Sequence, residues 1–277
     1  MKIFLTGGAG FIGQNIIEQL GKVHEITAPS RKELDLTDSE AVFAFLKKHP
    51  VDVVIHAANI GGTRKQQHVF GITHTNLKMF FNIVRAKPFF TRMITLGSGA
   101  EYDKQYPLTD VKESDFGKHV PNDEYGLYKY VCAEYASKVD FITHLRMFAV
   151  FGKYEDIQIR FISNAICKAL LGMPITVRIL DAFARHKPKE TFFNTGRGES
   201  VDLRTIAKKV LRETGAKVPV LVQTPGRAKE YTCSTARLKK ALKRFSYTPF
   251  DIAIAKLTAY YKSILPTIDR ELLARDV

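Results

Sequence analysis

The sequence predicts an α/β protein in which a doubly wound parallel sheet is followed by a smaller carboxyl-terminal lobe. Short apolar runs alternate with segments of helical periodicity up to Gly152, a glycine-rich turn joins the first run to the first helical segment, and the alternation loosens beyond that point. Strands that alternate with helices are typical of a parallel sheet, because each helix returns the chain to the edge where the next strand begins. The chain has 277 residues, 45% of them hydrophobic, which is enough to fill such a core.

The elements of the first domain, residues 1–152, follow in order. Strands are predicted at 2–6, 25–28, 51–57, 93–96 and 141–148, and helices at 11–20, 38–48, 75–86 and 124–139. The run at 51–57 is almost unbroken in apolar character, as expected of a central strand in a parallel sheet.

The second half of the chain shows a looser pattern. Residues 153–265 are predicted to form mainly the smaller lobe, and residues 266–277 a charged, loosely held tail. Within the lobe, helices are expected at 160–171 and 203–214, with a strand at 191–194. No linker separates the lobe from the first domain, so we expect the lobe to pack directly on the sheet.

The formal net charge of +14 suits either a nucleic-acid ligand or a small anionic substrate. Basic residues are scattered, and their short clusters at 237–240 and 243–244 are not interleaved with aromatic residues that could stack on bases. This distribution favours solvated helix faces and a general field that attracts a nucleotide diphosphate. We therefore expect no nucleic-acid partner.

The first residues and the cysteines bear on location and metal binding. Met1–Gly13 has glycines inside its apolar run and a single basic residue ahead of it, unlike a signal peptide, and it is too short to span a bilayer. We therefore expect a cytoplasmic protein without a membrane partner. Cys132, Cys167 and Cys233 are far apart and odd in number, which predicts buried thiols rather than a disulfide framework or a metal site.

A glycine-rich loop gives the strongest local signal. Gly7, Gly10 and Gly13 follow a predicted strand and open a predicted helix. Glycines in this context let a pyrophosphate approach backbone N–H groups at the helix N-terminus, where the helix dipole favours an anion, so the loop predicts a Rossmann-type dinucleotide site. The second strand ends at Ser30 and Arg31 without a carboxylate at its tip. A hydroxyl and a guanidinium suit a 2′-phosphate, so we expect NADP(H) to be favoured over NAD(H).

Three residues form a candidate catalytic group. Tyr125 and Lys129 lie four residues apart on a predicted helix and therefore share one face of it. A lysine ammonium beside a phenol stabilises the phenolate, so that the phenol can give or take a proton at a carbinol oxygen. Ser98 follows a predicted strand, where its hydroxyl could bond the same oxygen.

With these features in place, the sequence resembles the extended short-chain dehydrogenase/reductase family, also called NAD-dependent epimerases/dehydratases, over almost the whole chain. The matching motifs are Thr6–Gly13, Asp35-Leu36, Ala57-Ala58, Ser98, Tyr125–Lys129 and Arg146–Gly152. The stretches Pro29–Asp38 and Asn59–Gly62 are most similar to the branch formed by GDP-L-fucose synthase-like reductases and epimerases of nucleotide sugars.

The resemblance implies a set of roles. The cofactor would be bound by Gly7, Gly10, Phe11, Ile12, Gly13, Ser30, Arg31, Asp35, Leu36, Ala57, Ala58, Tyr125 and Lys129. The nucleotide-sugar substrate would be contacted by Gly99, Ala100, Arg160 and Arg227. The implied reaction is reduction of a 4-keto(-6-deoxy) sugar with hydride from NADPH and a proton from Tyr125. A homodimer is an open alternative to a monomer.

The sequence departs from the family pattern at several places. Fucose synthases carry a cysteine two residues after the serine and a histidine beyond the Tyr-Gly motif, where this chain has Ala100 and Lys153-Tyr154. Ala149 stands where an asparagine often contacts the substrate diphosphate. An arginine-rich strand and an Asp-Asp step are missing between Val177 and Arg178, where Arg178 already opens a predicted helix.

Three functions therefore stay open: a sugar-nucleotide 4-ketoreductase, an epimerase or dehydratase of the same fold, and a non-catalytic dinucleotide-binding scaffold. Glu101 is a single, displaced carboxylate after the serine, which disfavours dehydration. The complete serine, tyrosine and lysine group disfavours the scaffold, and simple reduction requires nothing more than this group and the cofactor.

Overall fold

The computed structural model describes residues 1–62, 69–177, 187–189, 192–195, 201–222, 230–234, 236–242 and 246–275. The strands are β1 Lys2–Thr6, β2 Glu25–Thr27, β3 Val51–His56, β4 Phe90–Ser98, β5 Leu108–Val111, β6 Ile142–Met147, β7 Ile175–Val177, β8 Lys187–Lys189, β9 Phe192–Thr195, β10 Val220–Val222 and β11 Tyr231–Cys233. The helices are α1 Phe11–Leu20, α2 Ser39–Lys48, α3 Ile72–Arg85, α4 Glu124–Ala136, α5 Phe161–Leu170, α6 Leu203–Thr214, α7 Ala236–Ala241, α8 Phe250–Ser263 and α9 Arg270–Ala274.

The main sheet has the strand order β2-β1-β3-β4-β6-β9-β8. Its first six strands run parallel and β8 is antiparallel to β9, which confirms the predicted doubly wound fold. The chain leaves β1 first to one side and then to the other, so the sheet has a switch point between β1 and β3. Ligands of such sheets bind beyond the carboxyl ends of the strands at that point. The register places Thr6 opposite His56 at this edge.

Helices cover both faces of the sheet, because successive side chains of each strand point to opposite faces. Phe4 of β1 is fully buried in one core cluster, together with Val54 and Phe80. Ile3 and Leu5 point to the opposite face and pack in a second cluster, to which α1 contributes. Burying a large apolar side chain stabilises a fold by about 1.5–3 kcal/mol, so the alternation itself holds helices against both faces.

The smaller lobe has its own core, formed chiefly by α5, α6 and α8. It is not separate from the main sheet, because β9 and β8 come from beyond residue 152 and complete that sheet. The tail also differs from the loosely held segment expected, since Leu273 of α9 is 1% exposed and the Leu272 carbonyl accepts a hydrogen bond from Gln158. The three cysteines are buried, as predicted. The segment expected to follow Val177, including the helix predicted to open at Arg178, lies outside the described residues.

Among the described residues, no helix combines the length and the apolar character needed to cross a bilayer.

Candidate active site

The glycine loop is compressed between α1 and the end of β3. Gly7 has a φ of +72°, and a Cβ there would lie 2.7 Å from the backbone nitrogen of Ala58. A Cβ on Gly13 would lie 2.1 Å from the Gly7 carbonyl oxygen, so the turn closes only with glycine at both positions. Helix α1 begins at Phe11 after Gly10, with no side-chain cap and no acidic residue in its first turn. Its first N–H groups are therefore available to an anion, and the loop fits a dinucleotide pyrophosphate.

The floor beside the loop is fixed by a buried hydrogen-bond network. The Thr6 hydroxyl accepts from the Ala58 N–H at 3.2 Å and bonds Nδ1 of His56 at 2.8 Å. Burial, together with the nearby charge of Lys129, lowers the pKa of His56 to about 3. The imidazole is therefore neutral and adds no second cation next to Lys129. Ala57 and Ala58 are held at the carboxyl edge of the sheet by this network.

The tip of the second strand carries a carboxylate that the sequence analysis did not anticipate. Ser30 and Arg31 are exposed just beyond β2, as expected. Glu33 folds back from the following turn, and its Oε2 accepts the Ser30 N–H at 2.7 Å. This hydrogen bond lowers the pKa of Glu33, so the carboxylate is ionised next to the Ser30 backbone. This negative charge would repel a phosphate bound at Ser30. Sequence periodicity did not reveal it, because periodicity carries no signal for a side chain that folds back in a turn.

The acidic-leucine step lies one turn further on. Asp35 accepts hydrogen bonds from the backbone N–H of Thr37 at 2.9 Å and from its hydroxyl at 2.8 Å. These bonds lower the pKa of Asp35. The Leu36 carbonyl accepts from Asn82 at 2.9 Å, and its side chain packs against the core. Both residues are thus held in place near the start of α2.

Ser98 ends β4 and starts a 3-10 turn over Gly99–Tyr102. Its Oγ accepts the Ala100 N–H at 3.2 Å, and its own N–H donates to Oε1 of Glu101 at 2.7 Å. This reciprocal arrangement is a capping box. It holds the hydroxyl at the carboxyl edge of the sheet, where Ser98 is 8% exposed.

Helix α4 carries the tyrosine and the lysine. The Lys129 ammonium lies 5.8 Å from the centroid of the Tyr125 ring and donates to the carbonyl of Leu96 in β4. A Cβ on Gly126 would lie 3.0 Å from the Ala100 carbonyl oxygen, so the start of α4 rests on the turn that Ser98 begins. The fold thus brings the three predicted catalytic residues to one end of the sheet.

Two loops fix the position of Tyr125. Gly62 has a φ of +81°, and a Cβ there would lie 2.4 Å from Cε2 of the Tyr125 ring. Glu124, which precedes the tyrosine, accepts the N–H groups of Gly71 at 3.4 Å and Thr73 at 3.2 Å. The carboxylate therefore caps α3 from the first turn of α4, and this cap couples the starts of the two helices.

The carboxylate that follows Ser98 is engaged inside the protein. Glu101 is fully buried, with Oε1 at 2.9 Å from Nε2 of His144 and Oε2 at 2.5 Å from Nε of Arg146. Burial alone would raise the pKa of Glu101, but His144 and Arg146 hold it below its ordinary value. Burial lowers the pKa of His144. Glu101 therefore supports the turn from behind and is not placed to act as a base on a substrate.

Tyr231 joins the site from β11 and was missed by the sequence analysis. Its hydroxyl is hydrogen-bonded to Ser98, and it lies 2.4 Å from where a Cβ on Gly99 would be. Its ring lies 4.8 Å from the ring of Phe148. Strand β11 is three residues long and pairs with the distant β5, so no local pattern could have placed Tyr231 beside Ser98.

The expected substrate contacts are spread over several elements. Gly99 and Ala100 form the turn after Ser98 and are buried, whereas Arg160 is exposed ahead of α5. Arg227 lies outside the described residues. Ala149 is exposed beyond β6 with a φ of 41°.

Lys153 and Tyr154, which stand where fucose synthases were expected to carry a histidine, contact helix α1. The Lys153 ammonium lies 2.5 Å from Oε1 of Glu18 on α1, and the Tyr154 hydroxyl donates to Oε2 of the same carboxylate at 3.2 Å. The loop after Gly152 is thereby tied to the first helix.

The sequence profile of the NAD dependent epimerase/dehydratase family matches residues 3–182. GDP-L-colitose synthase from Yersinia pseudotuberculosis is 35% identical over 109 residues, which cover 38% of this chain and 35% of that protein. A GDP-L-fucose synthase from Azorhizobium caulinodans is 30% identical over 148 residues, which cover 50% of this chain and 47% of that protein. The chain thus spans less than half the length of these curated relatives.

A solved structure matches over a longer stretch. UDP-glucose 4-epimerase from Thermotoga maritima superposes with a TM-score of 0.82 at 17% identity, covering 96% of this chain and 100% of that one. At this identity the likeness bears on the fold alone.

Proposed function

Because the chain belongs to the NAD-dependent epimerase/dehydratase family, we propose that it is an enzyme that binds NADP(H) and reduces a 4-keto(-6-deoxy) sugar attached to a nucleotide. The observation that carries the proposal is the joint placement of Ser98, Tyr125 and Lys129 at the carboxyl edge of the sheet, next to the glycine loop. The relatives named above, synthases of GDP sugars, support a nucleotide-sugar substrate.

The residues divide the chemistry between them. When bound, the reduced nicotinamide supplies hydride. Tyr125 gives its phenolic proton to the sugar carbonyl oxygen as that oxygen gains negative charge, and Ser98 holds the same oxygen by a hydrogen bond. The ammonium of Lys129, 5.8 Å from the ring centroid, stabilises the phenolate that Tyr125 leaves behind. The Leu96 carbonyl orients that ammonium.

Cofactor preference is the finer part of the proposal. Arg31 and Ser30 at the end of β2 favour the 2′-phosphate of NADP(H), because a guanidinium can bind a phosphate through two parallel hydrogen bonds. Glu33 acts against this preference by occupying the Ser30 N–H. We propose a preference for NADP(H) that is moderate in size, with Glu33 as the residue that limits it.

Reduction is favoured over the other reactions of the family by two features of the turn. Dehydration needs a free carboxylate near the sugar, and both oxygens of Glu101 are bonded inside the protein. Epimerisation needs proton exchange at neighbouring carbons, and Ala100 cannot take part in it. Epimerisation is the alternative outcome of the test below.

The first prediction tests the reaction and its acid. Tyr125→Phe removes the proposed proton donor and keeps the ring, so turnover of a nucleotide 4-keto-6-deoxy sugar with NADPH should fall by about 10²-fold or more, while cofactor affinity is kept. Turnover is followed by loss of NADPH absorbance. Tyr130→Phe, on another face of the same helix, is the matched control and should retain activity. Near-normal turnover by Tyr125→Phe would place the acid elsewhere.

Isotope labelling separates reduction from epimerisation. Hydride should pass from labelled NADPH to the sugar, and no solvent deuterium should enter the neighbouring carbons. Deuterium at those carbons would show epimerisation instead.

The expected cytoplasmic location and the homodimer are tested separately, by cell fractionation and by light scattering.

A further inference from the structure

We propose that Tyr231 is a positioning residue, which donates a hydrogen bond to Ser98 and so directs the Ser98 hydroxyl proton toward the substrate oxygen. The inference rests on the proposed function and adds to it a residue from the smaller part of the fold. Neither the family motifs nor the sequence periodicity points to Tyr231.

A serine hydroxyl has two acceptor lone pairs and one donor proton. In Ser98, one lone pair accepts the Ala100 N–H at 3.2 Å. The hydroxyl of Tyr231 bonds the same side chain. If Tyr231 donates, both lone pairs of the Ser98 hydroxyl are occupied. The hydroxyl can then make a further hydrogen bond only by donating its own proton. A ketone oxygen only accepts hydrogen bonds, so this arrangement is the one that reduction requires.

The surroundings of Tyr231 favour the role of donor. Burial raises the pKa of Tyr231 well above its ordinary value, and this effect outweighs the Ser98 bond, which lowers it; the neighbouring Tyr125 also raises it. Tyr231 therefore keeps its proton over the whole working pH range. The two phenols, which interact electrostatically, thus differ in role: Tyr125 exchanges its proton with the substrate, and Tyr231 holds its proton on Ser98.

Packing fixes the hydroxyl of Tyr231 where the bond needs it. Its strand pairs with β5, with Tyr231 opposite Leu108 in the register. Its ring lies 4.8 Å from that of Phe148, which is 1% exposed. Gly99 leaves room for the hydroxyl, because a Cβ at that position would come within 2.4 Å of it. Ser98 therefore reaches its full set of bonds only when β11 is docked on β5.

The test is a double-mutant cycle in the full chain with NADPH and a nucleotide 4-keto-6-deoxy sugar. Tyr231→Phe keeps the ring and its packing, and kcat should fall about tenfold, the usual effect of one hydrogen bond, while KM and the cofactor dissociation constant stay unchanged. In a Ser98→Ala background, Tyr231→Phe should have no further effect on kcat, because the bond has no partner there. Tyr130→Phe serves as the control in both backgrounds.

The outcomes distinguish the inference from the function on which it rests. An equal loss of kcat in both backgrounds, or no loss in either, would overturn the positioning role. Absence of turnover by the unmodified protein would overturn the proposed function and this inference with it. Should Tyr231→Phe unfold the protein, 3-fluorotyrosine at position 231 keeps the shape and strengthens the donor. A retained or increased kcat then supports the role, and a fall in kcat overturns it.

Discussion

At the scale of single residues, the proposed preference for NADP(H) assigns the 2′-phosphate to Arg31. It is exposed beyond β2, next to Ser30, where the 2′-phosphate of NADP(H) would be placed. Arg31→Ala should weaken NADPH binding by about 10- to 100-fold, as expected for loss of a charge-assisted hydrogen bond, and leave NADH binding nearly unchanged. Fluorescence titration of both cofactors measures this, with Lys32→Ala as the neighbouring control. Equal dissociation constants for the two cofactors in the unmodified protein would contradict the preference.

The Glu33 carboxylate should weaken NADPH binding, whereas Arg31 should strengthen it. Its carboxylate accepts the Ser30 N–H at 2.7 Å and places a negative charge where a phosphate would bind. Glu33→Gln removes the charge and keeps a group that can accept the same hydrogen bond, so NADPH affinity should rise by up to about tenfold. NADH affinity should change less, and the ratio of the two dissociation constants is the quantity to measure. A drop in NADPH affinity would show instead that Glu33 is needed to shape the turn.

Ala149 carries backbone strain at the edge of the site. Its φ of 41° lies in the left-handed region, which an alanine side chain disfavours by about 1–2 kcal/mol. Ala149→Gly should therefore raise the free energy of unfolding by up to about 1 kcal/mol, as measured by urea titration. Ala44→Gly, at an exposed position within α2, should lower it by about 1 kcal/mol, which gives a control of opposite sign. Equal destabilisation by both variants would refute the strain.

At the scale of elements, the start of α4 is positioned by loops rather than by its own sequence. Gly62→Ala would bring a methyl group to 2.4 Å from the Tyr125 ring, so the ring must move. We expect kcat to fall by about 10- to 100-fold, since a displacement near 1 Å can cost that much. Gly71→Ala is the matched control, because Gly71 has a similar φ of +74° but nothing within 4 Å of its Cβ position. Equal kcat losses in both variants would assign the effect to backbone strain alone.

The elements also show which parts of the fold a sequence can reveal. Helices α1 and α6 were predicted with the bounds that the structure has, because apolar residues at helical spacing over ten or more positions leave a clear pattern in the sequence. The Thr6–Gly13 loop was also recognised, because its strand, turn and helix follow one another directly in the sequence. The pairing of β11 with β5 was not, because short strands that meet across a long stretch of chain share no local pattern. Tyr231, on that pair, was therefore missed.

At the scale of the whole molecule, stability should depend on a buried carboxyl in the smaller lobe. Glu155 is 5% exposed, and its side chain bonds the hydroxyl of Ser163 on α5. Burial raises the pKa of Glu155 to about 7, although the Ser163 bond and the charge of Arg160 favour ionisation. The charge of Asp156 opposes it, and Cys167 and Tyr261 are the other titratable groups that interact with this carboxyl.

The sign of the pH dependence follows from that shift. Between the unfolded pKa of about 4.3 and the folded value, the folded state binds a proton that the unfolded state has released, so stability falls as pH rises and levels off above the folded pKa. Glu155→Gln should therefore raise the free energy of unfolding at pH 8 by about 3–4 kcal/mol and change it little at pH 4. Glu213→Gln, on an exposed part of α6, alters the net charge equally and is the control. A gain of equal size at both pH values would exclude the carboxyl as its source.

The completion of the main sheet by β9 has a consequence for synthesis of the chain. Until residues 192–195 leave the ribosome, the outer edge of β6 offers unpaired N–H and C=O groups at the side of a strongly apolar sheet. A nascent chain that ends near residue 152 is therefore a template for strand addition by other unfinished chains. Any fragment intended to keep the main sheet complete must extend past Thr195, and the chaperone requirement of the newly made protein should end only once that strand is made.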